Sequence, residues 1–261
     1  MKLSLARGRW AARLLGYSAG LLLGYAALTQ GVAAQARLLS TTGPAMLLPN
    51  SRSLDVKHLT PQTQSMRVMV RAGTGDTTER EWSLVTRSDR VIDAPAGQMA
   101  QTFAYAPPRA IRDSMVVQRA GLAPVFERLD LGTTQITLRF EGNRVLGTVE
   151  RGDSTQQVER NYSHDIFAFN QLESLVRSLD YKPGLSIVVP LFSEQDLKLE
   201  YDTLSVVARE DTRGRATWRV RFSDAVVVSD YLIDAETRRV LGQETRQRAS
   251  GMRFRYEVVA Q

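Results

Sequence analysis

The chain contains no cysteine, and that single absence removes disulfides, thiolate nucleophiles and thiolate metal sites. It also removes the lipid anchor that bacterial lipoproteins carry on a cysteine at their cleavage site. Histidine is nearly missing, with His58 and His164 the only two. No His-x-x-x-His pair and no calcium-loop spacing of Asp and Asn occurs, so the sequence offers no metal site and implies no cofactor. No apolar run reaches the roughly 20 residues of a membrane-spanning helix. The candidate, Leu14 to Leu28, is broken by Gly16, Gly20 and Gly24.

That stretch has a different use. Lys2, Arg7, Arg9 and Arg13 precede it, and Gly31-Val32-Ala33-Ala34-Gln35-Ala36 follows. A basic start, an apolar middle and a small-residue exit make a secretory signal peptide over residues 1–36, with cleavage after Ala34 or Ala36. The expected location is therefore periplasmic or extracellular. Removing the first 34 of 261 residues leaves 227, enough for one large β domain. The leader also takes four of the 34 basic residues and none of the 28 acidic ones, so 30 stand against 28. A balance so near zero gives no case for nucleic acid or for an anionic membrane surface.

Residues 37–64, with Pro44, Pro49 and Pro61, show little periodicity and read as a loosely ordered lead-in. From Ser65 the period is two. Met66, Val68 and Val70 alternate with Arg67 and Arg71, and Trp82 and Leu84 with Glu81 and Ser83. Ile136, Leu138 and Phe140 follow the same rule, as do Trp218, Val220 and Phe222, and Met252, Phe254, Tyr256 and Val258. Strands with one wet and one buried face point to antiparallel sheet rather than βαβ units. Gly142-Asn143 fits a two-residue hairpin turn. The expected fold is mainly β, a curved antiparallel meander or open barrel forming a single domain over residues 65–259.

One segment departs from the period of two. Leu172, Leu175, Val176 and Leu179 form a single apolar stripe on a helix over about residues 170–180, which would cover the sheet. Asn170 and Glu173 stand at capping-box positions, and Pro183-Gly184 ends the segment.

Catalytic signals are thin. His164 lies in Tyr162-Ser163-His164-Asp165, where adjacent side chains cannot form a Ser-His-Asp triad, and no Gly-x-Ser-x-Gly elbow supplies a serine. Glu79/Glu81, Glu210-Asp211 and Asp234/Glu236 flank turns or lie on polar strand faces, where solvated charge is the ordinary reading. Gly73-Thr74-Gly75 lacks the third glycine and the following helix of a phosphate loop, and reads as a turn.

Several segments resemble an uncharacterised family of exported bacterial proteins, the domain of unknown function 3108. They are Gly121-Leu122-Ala123-Pro124-Val125-Phe126-Glu127, Phe140-Glu141-Gly142-Asn143-Arg144-Val145, Ala168-Phe169-Asn170 through Leu179, Val189-Pro190-Leu191-Phe192, and Tyr231-Leu232-Ile233-Asp234 with Arg238-Arg239-Val240-Leu241. The resemblance implies a curved sheet crossed by a helix, similar to the half-barrels of periplasmic lipoprotein carriers, and it brings no catalytic residues.

The expected function is thus a non-enzymatic envelope binding protein that takes a lipid chain or other apolar small molecule on the concave face. Leu138, Phe140, Trp218, Val220, Phe222 and Phe254 are the expected lining. The alternatives are a scaffold or interaction domain with a filled core and, behind it, an envelope hydrolase using His164 or scattered carboxylates.

Overall fold

The computed structural model describes residues 44–73, 75–91, 97–106, 111–212 and 214–259; the expected signal peptide lies outside them. The chain forms two meanders that share one sheet. The first runs through β2 (Gln62–Arg71), β3 (Glu79–Val91), β4 (Gln98–Tyr105), β5 (Arg112–Gln118), β6 (Pro124–Asp130), β7 (Thr134–Glu141), β8 (Arg144–Arg151) and β9 (Ser154–Asn161). The second runs through β11 (Ser186–Ser193), β12 (Lys198–Thr212), β13 (Arg215–Ser223), β14 (Val227–Asp234), β15 (Val240–Gln247) and β16 (Arg253–Val258). β16 pairs antiparallel with β2, with Tyr256 opposite Val68, so the last strand welds the two halves together. Two short strands, β1 (Ala45–Met46) and β10 (Phe167–Ala168), add in parallel to β11. The result is a mostly antiparallel sheet of 16 strands, as the period of two foretold.

The sheet is strongly curled. β7 and β11 stand 11 places apart in strand order, which on a flat sheet means more than ~50 Å at about 4.8 Å per strand. Yet the rings of Phe140 and Phe192 meet edge to face with centroids 6.1 Å apart. The two arms therefore come together as a nearly closed barrel, with Phe192 also against Tyr162.

The local chemistry explains the turns. Glu141 pairs with Arg144 across Gly142-Asn143, and Gly142 takes the left-handed φ of 67° that a tight hairpin asks for. In β8, a Cβ on Gly147 would stand 1.9 Å from the carbonyl oxygen of Thr137, so only glycine permits that strand approach. The alternation expected in β3 is corrected by one residue. Trp82 is the extra residue of a bulge, lying between the pairs Val68–Ser83 and Met69–Glu81. A bulge shifts the phase of everything beyond it, so Ser83 and Val85 point inward while Leu84 is 38% exposed.

The helix is α1 (Leu172–Ser178), preceded by a 3-10 turn over Phe169–Gln171. Leu172, Leu175, Val176 and Leu179 are buried as the stripe implied, but so are Ser174, Arg177 and Ser178 on the other sides. The helix is therefore enclosed rather than laid over the sheet. The expected capping box does not form: Glu173 turns to Arg87 and Asn170 to Glu127, buried polar partners on the inner strands that take the place of a backbone cap.

Residues 44–61, expected to be loose, are packed. Asp55 donates its backbone N–H to the Ser178 carbonyl at 2.6 Å, Leu47 donates to Val188, and Leu47 and Leu59 are fully buried. Burying Leu side chains of this kind stabilises by roughly 1.5–3 kcal/mol each, which is enough to fix a segment with weak propensity of its own. The convex face carries ion pairs, among them Arg221–Asp230, Arg253–Glu244 and Arg67–Glu81. Among the described residues no helix is long and apolar enough to cross a membrane.

Candidate functional site: the cavity between the sheet and its internal plug

Residues 167–179 act as a plug inside the curl. Two polar side chains secure it to backbone held in an unusual conformation. Gln171 accepts from the backbone N–H of Ala168 and donates to the carbonyl of Leu122 at 2.7 Å. Arg177 donates through Nε to the carbonyl of Arg238 at 3.0 Å. Leu122 and Arg238 have φ of 58° and 60°, a region that residues other than glycine rarely adopt. Each of these strained residues thus presents a carbonyl to the plug.

The inner face of β3 supplies the ionic part of the anchor. Arg87 bonds Asp89 through Nε and Nη2 at 3.1 and 3.0 Å, Ser174 at 2.8 Å and Glu173 at 3.0 Å. Arg177 reaches Asp89 at 2.6 Å, and Gln62 donates to the same carboxylate oxygen at 3.0 Å. The Arg87 guanidinium also lies over the Phe103 ring, 4.7 Å from its centroid. Burial pushes the Asp89 carboxyl up, but Arg87 and Arg177 more than reverse this and hold it below its ordinary range. Burial pushes Glu173 up too, and there the opposing arginines do not fully compensate.

A second polar group lies behind Asn170. Asp113 of β5, Glu127 of β6 and Glu194 after β11 are all buried. Burial, followed by the Glu127 charge, raises Asp113 well above the carboxylate range. Burial and the nearby Glu194 charge do the same to Glu127. Burial drives Glu194 to about 8.

Between the plug and the inner strands lies a cavity of about 110 Å³. Met66, Val85, Phe103, Phe222 and Val227 form apolar wall from the strands, with Phe169 and Leu172 facing them from the plug. Arg87, Glu173 and Asn170 supply polar groups, and Tyr105, Tyr231 and Tyr256 bring phenols from three strands. Tyr105 and Tyr256 hydrogen-bond to each other, and Tyr231 lies within electrostatic reach of Glu173 and Arg87. Among the described residues no group of carboxylates and histidines is placed to hold a metal ion.

The six residues expected to line a cavity fall into four places. Phe222 lines this cavity. Val220 and Phe254 are completely buried in the neighbouring core, Phe254 edge to face with Trp82 at 5.9 Å. Leu138 and Phe140 belong to the opposite arm, where Phe140 closes on Phe192. Trp218 is half-buried beside Tyr181, its ring 5.6 Å away. His164 is held between the carbonyl of Asp165 at 2.9 Å and the Tyr201 hydroxyl at 3.0 Å. His58 lies 3.6 Å from Asp55. Glu79, Glu81 and Glu210 pair with Arg255, Arg67 and Arg219 on the surface, and Asp234 caps its turn through the N–H groups of Glu236 and Thr237. The interior carboxyls escaped sequence reasoning, although a signal existed. Asp113 is in phase with Met115 and Val117, and Glu127 with Leu129, at inward positions of alternating strands.

The fold and its plugged interior define the class: a barrel-like antiparallel β domain. A crystal structure of a beta-barrel-like protein of domain of unknown function DUF1849 from Brucella abortus matches it with a TM-score of 0.52 over 79% of this chain and 97% of that one. Identity is 8%, so the likeness is one of fold. Residues 68–258 match the model of DUF3108, described as a protein of unknown function, and the chain belongs to that family. No curated protein matches it.

Proposed function

We propose that this DUF3108 member is an exported, non-enzymatic binding protein of the cell envelope that takes an apolar ligand against its concave face. The observation that carries the reading is the cavity between strands and plug, apolar on its walls and furnished with arginine, carboxyl and phenol groups. Pockets for drug-sized ligands run to about 300–1,000 Å³, so a cavity of about 110 Å³ sets a limit on the occupant. It suits the end of an acyl chain or one small amphipathic molecule, with the polar end toward Glu173, Tyr231 and Asn170.

A scaffold or interaction role is the second reading. It draws on the filled interior around Leu138, Phe140 and Phe192, and on β9, an edge strand whose side chains are mostly exposed. Native mass spectrometry of protein purified from the envelope separates the two. The binding reading expects a co-purified small molecule of defined mass that is lost on denaturation; a bare protein mass in association with another polypeptide favours the scaffold.

A further inference from the structure

The three interior carboxyls join the plug to both arms of the curled sheet. Asp113 and Glu127 come from adjacent strands of one arm, and Glu194 follows β11 in the other; each is no more than 2% exposed. Glu127 hydrogen-bonds to Asp113 on one side and to Glu194 on the other. A bond between two carboxyl groups requires a proton on one of them, because carboxylates only accept. The plug adds two donors: the Asn170 amide to Glu127, and the backbone N–H of Phe169 to Glu194 at 2.9 Å. Asp113 Oδ1 and Glu127 Oε2 have no donor among the described residues. A proton shared among the carboxyls would supply the missing donor.

The other groups facing the trio are few. Arg87 of β3 attracts Asp113, the backbone N–H of Ser114 bonds it, and Tyr105 of β4 stands within electrostatic reach. The arginine is already committed to Asp89 and Glu173.

We propose that Asp113, Glu127 and Glu194 form a proton-operated latch, which clamps the front of the plug when the carboxyls share protons and releases it when they do not. The released segment carries Phe169, Asn170, Leu172 and Glu173, four residues that wall the cavity, so protonation governs access to it. The effect on ligand entry rests on the binding reading above, whereas the latch itself does not. Losing the shared protons places like charges together in a buried site, where repulsion is weakly screened. Release is therefore expected on the alkaline side, in keeping with the raised Glu194.

The test is hydrogen exchange at the backbone amides of Phe169 and Asn170 in the purified protein, with rates corrected for their intrinsic pH dependence. Between about pH 6 and about pH 9, protection in the wild type should fall by roughly tenfold or more, the change given by one proton linked over one pH unit. In Glu127→Gln, which keeps an acceptor for Asn170 but removes the central charge, the alkaline loss of protection should be clearly smaller, since only Asp113 and Glu194 remain to ionise. Asp113→Asn gives the same comparison should the first variant fold poorly. Equal protection at both pH values in the wild type, or the same alkaline loss in a folded variant, would overturn the latch. Binding of a fluorescent fatty acid is followed in parallel. Release of the segment with no probe bound supports the latch and counts against the binding reading.

Discussion

Arg177 of the plug helix and Asp89 of β3 meet at 2.6 Å with both side chains only 1% exposed, which fixes the helix to the concave face by charge as well as by its apolar stripe. Breaking a buried pair by removing one partner costs about 3–5 kcal/mol, because it leaves the other charge uncompensated. Arg177→Met should therefore lower unfolding stability by about that amount in urea, softened by the second arginine on Asp89. Adding Asp89→Asn to it should cost clearly less than the two single changes together. Strict additivity would show that the pair is not coupled.

Stability should pass through a maximum with pH, and the two buried polar groups set its sides. Asp89 has a lowered carboxyl, so its contribution is present above the unfolded value of 3.8 and is lost as pH falls through the folded one. Glu127 and Glu194 are raised, so their contribution is complete below the unfolded value of 4.5 and is lost as pH rises toward the folded ones, about 8 for Glu194. Urea midpoints measured across this range should fall at both ends, and Glu127→Gln should flatten the alkaline limb alone. An alkaline limb identical in that variant would assign the loss to other groups.

Gly147 offers a test of the sheet itself. A Cβ there would collide with the Thr137 carbonyl and press on the Leu138 backbone at 3.0 Å. Neither is the movable end of a side chain, so Gly147→Ala should cost about 1–3 kcal/mol, as overpacking does. The change should appear as a lower melting temperature. Wild-type melting would mean that β7 and β8 do not approach so closely.

Much of this architecture is legible in the sequence because strands with one wet face write a period of two. β7 and β16 illustrate it, with Ile136, Leu138 and Phe140, and Phe254 and Tyr256, all buried in phase. The helix was legible from its stripe at Leu172, Leu175, Val176 and Leu179. What the pattern misses is non-local. Nothing near Tyr256 announces that it will pair with Val68, nor does the Trp82 bulge declare itself before its partner strand is known. The site was less readable for the same reason. Arg87, Asp89, Asp113 and Glu127 look like ordinary strand charges until the curl turns their faces inward and supplies partners from the plug. The expected lining failed to converge because an inward-facing residue in a curled sheet can meet the opposite arm, as Phe140 meets Phe192, rather than the space left beside the helix.

The most direct test of the binding reading is a titration with a fluorescent fatty acid, comparing the wild type with Gln243→Trp. Gln243 is half-buried at the cavity wall, so a bulkier side chain there should fill the space without displacing the closed core. Saturable one-to-one binding to the wild type is expected, with at least roughly tenfold weaker binding to the variant, equivalent to about 1.4 kcal/mol, and melting unchanged. Absence of saturable binding by the wild type, or equal affinity in a folded variant, would contradict it.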